Sequence, residues 1–346
     1  MPEAQATGWD LGGAHLKAAQ VDGSGRFLTA LQLPCRLWLG MEEFGRALAE
    51  ARGRLRPSRR HAVTMTGELA DLFADRAEGV ARLSKAMAEA FADAELRVYA
   101  GDRGFVAAAE VGDSWRAVAS ANWHASARLV ARHHQSALFI DVGSTTTDIV
   151  PLRDGVVAAS GYTDDERLMS EELVYSGVTR TPVMAIAATV PFDGRRQRLM
   201  AEHFATMADV HRLTGELPED ADQLPTADGR GKSATDSARR LARMLGRDLD
   251  SAPPAAWRRL ALHLAERQRQ TLEAAVDCIL SRGVVDDAGP FVGAGVGRFL
   301  VRDLAARAGR RYADFADAIE GDPPTREWAA RCAPAAAVAR LAVDDW

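Results

Sequence analysis

The feature that most constrains this chain is a short segment that occurs twice. Trp9–Ala19 and Ile140–Val150 align without gaps, and in each copy an aspartate stands two residues before a glycine. Each copy has the pattern of a strand, a tight loop and a second strand, and an Asp-Gly turn typical of hairpins follows. The length of 346 residues exceeds what one hydrophobic core usually serves. The repeat therefore predicts two lobes built on the same plan.

The two loops have the composition of phosphate-binding sites. Glycine lets the backbone approach an anion closely, and successive N–H groups form an anion-binding concavity. Aspartates at the strand ends suit a hydrated Mg²⁺, which takes one or two carboxylates plus phosphate oxygens. The alternative is a pair of ordinary hairpins with turn-forming Gly and Asp, which a single copy would favour. We predict phosphate contacts from Gly12, Gly13, Gly143, Ser144, Thr145 and Thr146, and metal contacts from Asp10 and Asp141.

A third glycine-rich segment lies late in the chain. Within Gly289–Gly297 a short apolar run enters a GxGxG loop, and the residues that follow have helical periodicity. A strand, a glycine loop and a helix in this order are typical of nucleotide or phosphate sites, so we expect contacts from Gly293 and Gly295. The segment lacks the final spaced glycine of a dinucleotide-binding motif and does not indicate a Rossmann fold.

Four side chains near these loops or in a later polar segment are predicted to be catalytic. Lys17 offers an ammonium group to a phosphate, and His15 offers a hydrogen bond or a proton. Asp148 would position Mg²⁺ or the nucleophile, and Arg180 would clamp a phosphate through two parallel hydrogen bonds. The alternatives are a solvated strand lysine, a packed histidine, a carboxylate that accepts loop N–H bonds and an arginine at a helix start or interface.

Six further residues are predicted to contact substrate or phosphate. Asn122 and Trp123 would face an aromatic ring, with core packing as the alternative for both. The glycine-containing loop at 226–233 carries a basic pair, but a Walker A motif is excluded because Thr226 stands where the first glycine belongs. The remaining predicted contacts are Thr179 and Thr181 to substrate, and Arg230 and Lys232 to a diphosphate.

Periodicity and turn signals divide the chain into an α/β arrangement of two lobes. Residues 1–125 are predicted to form the first lobe and 126–325 the second, with a helical insertion at about 191–255. An Ala-rich helix within 326–346 is expected to return near the hinge. Other helices are expected at Met41–Arg54, Gly79–Ala94, Arg258–Leu280 and Arg298–Arg307, and strands at Ala62–Gly67, Leu96–Ala100 and Leu138–Ile140.

Composition argues against several classes of function. A net charge of −5 disfavours bulk nucleic-acid binding, which needs a basic surface. No window of about 18 uninterrupted apolar residues predicts a transmembrane helix, and the N-terminus lacks the pattern of a secretory signal. Three widely spaced cysteines fit reduced thiols, and the histidines lack zinc-ligand spacing. We expect a cytoplasmic protein without nucleic-acid or membrane partners, and a homo-oligomer is compatible with the sequence.

The order of the three loops is similar to that of the actin, sugar kinase and Hsp70 superfamily, and the chain resembles its hydantoinase A and oxoprolinase branch. More narrowly, it resembles the tetrahydromethanopterin-linked one-carbon-pathway proteins, which include a synthase of methanofuran assembly. The resemblance spans nearly the whole chain and implies a two-lobed, ribonuclease H-like α/β fold with duplicated mixed sheets flanked by helices. The supporting segments are Ser120–Trp123, Leu173–Val183, Thr226–Ser233 and Arg240–Asp248.

The resemblance also implies a reaction. An aminomethyl-furanylmethyl diphosphate and a phenolic acceptor, which would be tyramine, tyrosine or a glutamyl derivative, would form an ether and release diphosphate, with Mg²⁺ as the cofactor. The loop pattern leaves two alternatives open. One is an ATP-dependent kinase or ligase, and the other is a non-catalytic nucleotide-binding regulatory module. A hydantoinase activity is less expected, because that family normally works with a second large subunit and a longer chain.

Overall fold

Two mixed sheets form the framework of the computed structural model, which describes residues 3–346. The first two residues of the predicted first lobe lie outside the described part. The first sheet contains β1 Ala4–Leu11, β2 His15–Val21, β3 Phe27–Pro34, β4 Ser58–Met65, β5 Glu95–Tyr99 and β6 Phe105–Ala107. Their spatial order is β3-β2-β1-β4-β5-β6, with β1 antiparallel to β2 and parallel to β4.

The second sheet repeats the central part of this plan. Its strands are β7 Ser136–Val142, β8 Thr147–Arg153, β9 Val156–Val157, β10 Leu173–Val174, β13 Phe291–Ala294 and β14 Tyr312–Asp314, while β11 Thr189–Phe192 and β12 Arg195–Arg198 form a separate hairpin. The order is β10-β8-β7-β13-β14, with β9 paired to β8. Like β1, β7 lies between an antiparallel hairpin partner and a parallel strand. The predicted duplication of a mixed sheet is confirmed.

Helices flank both sheets. They are α1 Met41–Arg54, α2 Arg76–Ala90, α3 Val111–Val118, α4 Asn122–Ala131, α5 Asp164–Met169, α6 Val183–Ile186, α7 Met207–Thr214, α8 Ala234–Met244, α9 Pro254–Leu280, α10 Arg298–Arg307, α11 Pro323–Arg331 and α12 Ala333–Asp344. Within the described part of the chain, no helix is both long enough and apolar enough to cross a membrane.

Two of the predicted helices begin earlier than expected, one at a side-chain cap and one at a proline. The structure has α1 and α10 at their predicted bounds, and the predicted strands appear as β4, β5 and β7. Helix α2 begins three residues earlier than predicted, because the Asp75 side chain accepts a hydrogen bond from the N–H of Glu78. Helix α9 begins four residues earlier than predicted, at Pro254, since proline is favoured in the first helical turn.

The predicted insertion at 191–255 is less helical than expected. It contains the end of the β11–β12 hairpin, then α7 and α8, and residues 215–233 between these helices have no regular secondary structure. Ion pairs order this connection: the buried guanidinium of Arg240 donates to Asp209 at 2.6 Å and to Asp228 at 3.0 Å. Charged residues of this insertion therefore pair with one another across a loop.

The C-terminal helix packs on the first sheet. Helix α12 lies against β1, β4 and α4, in a buried cluster that also includes residues of the second sheet such as Phe139. The approach is close: a Cβ added at Gly8 would lie 2.0 Å from the carbonyl oxygen of Ala335. Only small side chains permit such contact between a helix and a strand, which explains why α12 is rich in alanine.

Candidate functional site

The two repeated loops open onto one cavity of about 400 Å³, a size in the range of small-molecule sites. Residues from both sheets line it. The predicted site residues among them are Asp10, Gly12, Gly13, His15, Lys17, Asn122, Trp123, Asp141, Gly143, Ser144, Thr145, Thr146, Asp148 and Arg180. The predicted site residues that do not line it are Thr179, Thr181, Arg230, Lys232, Gly293 and Gly295.

The first hairpin pairs a buried carboxylate with a lysine. Asp10 on β1 and Lys17 on β2 are directly opposite in the strand register, and Lys17 Nζ lies 3.3 Å from Asp10 Oδ2. Burial raises the pKa of Asp10, and the neighbouring lysine opposes that rise. Burial alone would lower the pKa of Lys17, but Asp10, followed by Cys332 and Asp141, raises it overall. Lys17 is therefore a cation at the cavity, available to an anionic ligand.

His15 is neutral in the free protein. Burial, followed by the charges of Lys17 and Arg180, lowers its pKa to about 3. Its Nε2 atom is buried and has no hydrogen-bond partner among the described residues. A bound anion would offset the two neighbouring cations and make protonation easier. In the ligand-free state, however, His15 can act only as a neutral hydrogen-bonding group.

The second hairpin places two carboxylates where the first has a carboxylate and a lysine. Asp141 on β7 and Asp148 on β8 are opposite in the register. Burial, followed by the charge of Asp148, raises the pKa of Asp141 to about 7. Burial also raises the pKa of Asp148, and Arg167 opposes that rise. This half of the cavity is therefore short of positive charge.

The glycine-rich loop within Gly289–Gly297 packs against the second hairpin. A Cβ at Gly295, where φ is +81°, would lie 2.3 Å from Asp141 Oδ1, and a Cβ at Gly293 would lie 2.7 Å from the Tyr312 ring. Neither glycine lines the cavity, and their contact with phosphate stays a prediction. Their lack of side chains makes room for Asp141 and Tyr312, so they position the site without lining the cavity.

Arg167 is the main functional candidate that sequence analysis missed. Its side chain is buried, donates to Asp148 Oδ1 at 2.9 Å and to the carbonyl of Glu172 at 2.8 Å, and lies 4.0 Å from the centroid of the Trp123 ring. The Thr163–Glu166 capping box at the start of α5 was readable as a helix signal. That signal locates the helix, but it does not reveal that the arginine points into the cavity.

The segment after β10 holds the second loop in place. Thr179 donates to the Ser144 carbonyl at 3.3 Å, and Thr181 donates to the Thr145 carbonyl at 3.4 Å. These threonines therefore position the loop, although they were predicted to contact substrate. Arg180 between them donates to Thr145 Oγ1 at 3.1 Å and lines the cavity, so its guanidinium can reach a ligand there.

The basic pair predicted to bind diphosphate lies outside the cavity. Lys232 Nζ donates to the Asp222 carbonyl at 2.5 Å and also pairs with the Asp222 carboxylate at 3.5 Å. Arg230 is exposed, and its backbone N–H donates to Asp228. Nearby aspartates therefore compensate the positive charge of this loop in the ligand-free protein, and contact of Arg230 and Lys232 with a diphosphate stays a prediction.

The donor set at the strand ends fits Mg²⁺. Asp10 Oδ1 is buried without a hydrogen-bond partner among the described residues, and burial, followed by the charge of Asp148, raises the pKa of Asp141. Residues 3–346 contain no group of three or more His, Cys, Asp or Glu side chains that would enclose a metal. Two carboxylates completed by phosphate oxygens and water are the usual surroundings of Mg²⁺ at phosphate sites.

Known proteins that are similar to this chain indicate its family. The model described as Hydantoinase/oxoprolinase matches residues 59–320. A Methanocaldococcus jannaschii protein named (4-{4-[2-(gamma-L-glutamylamino)ethyl]phenoxymethyl}furan-2-yl)methanamine synthase is 30% identical over 297 residues, which cover 86% of this chain and 87% of that protein. A Methanococcus vannielii protein of the same name is 35% identical over 116 residues, which cover 34% of this chain and 52% of that protein.

One solved structure supports the fold. The nucleotide-free structure of acetone carboxylase superposes with a TM-score of 0.50 at 11% identity, covering 85% of this chain and 65% of that chain. With the duplicated mixed sheets, this likeness confirms the predicted two-lobed α/β fold. The family model spans most of the sequence and the M. jannaschii relative nearly all of it. The chain therefore belongs to the hydantoinase/oxoprolinase family.

Proposed function

We propose that this protein is a transferase in the biosynthesis of methanofuran or of the related methylofuran. It joins an (aminomethyl)furanylmethyl diphosphate to the phenol of tyramine, tyrosine or a glutamyl derivative, forming an ether and releasing diphosphate. The observation that carries the proposal is the 30% identity, over 86% of this chain, to a synthase whose name contains that phenoxymethyl-furan ether. The shared cavity of the two glycine loops is the second support.

The two loops are suited to hold the diphosphate. Gly12 and Gly143 leave the backbone accessible, so their loops can present N–H groups to phosphate oxygens. Lys17 and Arg180 add positive charge at the same cavity. Bound Mg²⁺, held by Asp10 and Asp141, would supply further charge neutralisation to the leaving group. Because these groups are in place before the reaction, they stabilise the charge that develops as the diphosphate leaves.

The reaction exchanges one C–O bond for another. The bond between the furanylmethyl carbon and the diphosphate oxygen breaks, and its electron pair leaves with the diphosphate. The furan ring shares the positive charge that remains on the methylene carbon. The phenol oxygen forms the new bond to that carbon and loses its proton. Trp123, which lines the cavity beside Asn122, offers an aromatic wall for the rings.

The reaction needs a base to take the phenol proton, since a free phenol has a pKa of about 10. A buried carboxylate is the best candidate for this base. Asp148 lines the cavity and is left for this role if Asp10 and Asp141 hold the metal. Burial raises its pKa, which makes it a stronger base than an exposed aspartate. The pKa of His15, lowered to about 3, makes that residue a poorer base in the free protein.

The test is a mass-spectrometric assay of the purified protein. The furanylmethyl diphosphate is mixed with Mg²⁺ and, separately, with tyrosine, tyramine and γ-glutamyltyramine. We expect an ether product with one acceptor and an equal amount of free diphosphate. Absence of both products with all three acceptors would refute the proposal. A parallel reaction with ATP as the phosphoryl donor, read as ADP formation, tests the kinase or ligase alternative.

A further inference from the structure

The cavity is lined by three large apolar side chains that remain exposed. Trp38, Leu69 and Tyr175 all line it, and their exposed fractions are 39%, 44% and 55%. By contrast, the proposed metal ligands Asp10 and Asp141 are buried, so the three apolar side chains lie nearer to solvent. Exposed apolar side chains grouped around a concave site commonly mark a ligand-binding surface. These three side chains form an apolar rim at the opening of the cavity.

One aromatic side chain of the rim is fixed beside the first glycine loop. Trp38 lies in a single 3₁₀ turn, Leu37–Leu39, and the N–H of Leu37 donates to the Gly13 carbonyl at 3.1 Å. Leu37 itself is buried and anchors the turn in the core of the first lobe. The Trp38 side chain is therefore held next to a loop that we propose binds phosphate.

The other aromatic side chain of the rim is fixed beside the second glycine loop. Tyr175 directly follows β10, in which Val174 is opposite Thr147 of the second hairpin. The hydroxyl of Thr147 donates to the Ser176 carbonyl at 2.6 Å. The residues on both sides of Tyr175 are thus bound to Thr147, where the second loop ends. Each of the two loops therefore has one aromatic side chain beside it.

Arg180 links the second loop to the rim. Its guanidinium donates to Thr145 Oγ1 at 3.1 Å, and its central carbon lies 5.2 Å from the centroid of the Trp38 ring. A cation over an aromatic face is attracted by the ring electrons and helps to hold an exposed indole in place. A guanidinium covers only one face of the ring, so the rest of the exposed indole remains available to a ligand.

The proposed reaction requires space for two rings at once. Trp123 can stack with one of them only, because the guanidinium of Arg167 lies 4.0 Å from the centroid of its ring and covers one face. Trp123 is also buried, so the ring that it contacts lies inside the cavity. The second ring must therefore lie nearer the opening, where the rim offers two further aromatic side chains.

We propose that Trp38, Leu69 and Tyr175 bind the phenol ring of the acceptor, with the phenol oxygen directed toward the diphosphate. The inference rests on the proposed function for the identity of the acceptor. Flat apolar side chains match a phenol ring, which gains stacking contacts as well as apolar burial. The rim is also close to the proposed base, since Leu173, two residues before Tyr175, is opposite Asp148 in the strand register.

A second copy of this chain is the main alternative occupant of an exposed apolar surface. A stable interface of standard size takes about 20–30 residues from each partner. The rim consists of three side chains around a cavity of about 400 Å³, which is the size and shape of a small-molecule site. The geometry therefore favours a single ring over a protein partner.

Calorimetric binding of tyramine tests the inference without requiring turnover. Inorganic diphosphate and Mg²⁺ are present so that the glycine loops are occupied. We expect Trp38→Ala and Tyr175→Ala each to weaken tyramine binding by about tenfold, because each variant loses stacking and apolar burial. Tyr175→Phe should bind tyramine as the wild type does, since the inference depends on the ring and not on its hydroxyl. The affinity for diphosphate should stay nearly the same in all three variants.

Trp328→Ala is the matched control. Trp328 is partly exposed, has the guanidinium of Arg331 5.0 Å from its ring centroid and does not line the cavity. Its removal should leave tyramine binding unchanged. Trp38→Leu, which removes the ring but keeps apolar bulk, provides a further variant if Trp38→Ala does not fold.

The outcomes separate this inference from the proposed function. No tyramine binding by the wild type, or equal binding by the wild type and both alanine variants of the rim, would overturn the inference even if the ether forms. Weaker tyramine binding in those variants, together with failure of the ether assay, would refute the proposed reaction and leave an aromatic site standing.

Three further results would show that the assignment of the rim is wrong. If the rim variants lose diphosphate affinity as strongly as tyramine affinity, the rim only supports the glycine loops. If they weaken binding of furan-2-ylmethanol as much as that of tyramine, the rim does not distinguish the acceptor from the furan substrate. If sedimentation shows a wild-type dimer that Trp38→Ala dissociates, the rim is a subunit interface.

Discussion

The two repeated hairpins have the same backbone but different charge chemistry. In the first, Asp10 faces Lys17 across the strand pair, so the carboxylate is compensated within the hairpin. In the second, Asp141 faces Asp148, and the compensating Arg167 comes from α5. The duplicated scaffold thus provides two similar loops, while single substitutions differentiate the charges. The first hairpin carries its own cation, whereas the second hairpin has two carboxylates and depends on an arginine from outside the hairpin.

The largest effect is expected when Arg167, the cation that α5 supplies to the second hairpin, is removed. Arg167→Met leaves Asp148 buried without its ion-pair partner, and we expect the free energy of unfolding to fall by about 3–5 kcal/mol. Urea denaturation measures the change. Arg153→Met, at the exposed end of β8, is the matched control and should change stability by no more than about 0.5 kcal/mol. Similar losses in both variants would show that Arg167 does not compensate the second hairpin.

The cation of the first hairpin should matter mainly for turnover. Lys17→Ala removes positive charge from the diphosphate site, and we expect kcat to fall by about 10²–10³-fold. The ether assay provides the measurement. Lys85→Ala removes a lysine that is 76% exposed on α2 and should retain full activity. If Lys17→Ala is as active as the control, the lysine only neutralises Asp10 and does not act on the substrate.

The second hairpin also depends on a glycine, Gly295, that packs against Asp141. Gly295→Ala introduces a Cβ that would lie 2.3 Å from Asp141 Oδ1 at a residue with φ of +81°. Gly309→Ala is a matched control, because φ there is +64° and no atom lies within 4 Å of the added Cβ. We expect Gly295→Ala to be the more destabilising by about 1–3 kcal/mol, measured by urea denaturation. Equal effects would mean that only backbone strain matters.

The pH dependence of the free energy of unfolding should reveal the raised pKa of Asp141 in the second hairpin. The pKa of Asp141 is raised from an ordinary 3.8 to about 7, so between these values the folded protein holds a proton that the unfolded chain has lost. The stabilising contribution of the Asp141 carboxyl is therefore fully present below about pH 4 and is lost as the pH rises through 7.

The slope is at most about 1.4 kcal/mol per pH unit for one group. Asp141→Asn should remove this part of the dependence, leaving that of other buried carboxylates. Thermal unfolding at several pH values provides the measurement. If the wild type and Asp141→Asn differ in stability by the same amount at every pH, the raised pKa is wrong.

Local signals made much of the fold predictable. The repeated segment predicted both hairpins, and helical periodicity predicted α1 and α10 at their observed bounds. The sequence did not show which partner a charged side chain would have. The loop with Arg230 and Lys232 has the composition of a phosphate site, yet Lys232 pairs with Asp222 across a turn. Nothing in the local sequence distinguishes a cation that awaits a ligand from one that is already paired.

The candidate site, like the fold, was predictable from the sequence only in part. The glycine loops and the carboxylates at the strand ends were readable from the sequence, because backbone geometry fixes where strands end and which residues face each other. Arg167 was not readable, since nothing in the local sequence shows that an arginine on this short helix reaches Asp148. The repeat by itself determined that two similar loops would form. Only tertiary packing decided which long charged side chains converge on them, because such convergence depends on contacts between residues distant in the chain.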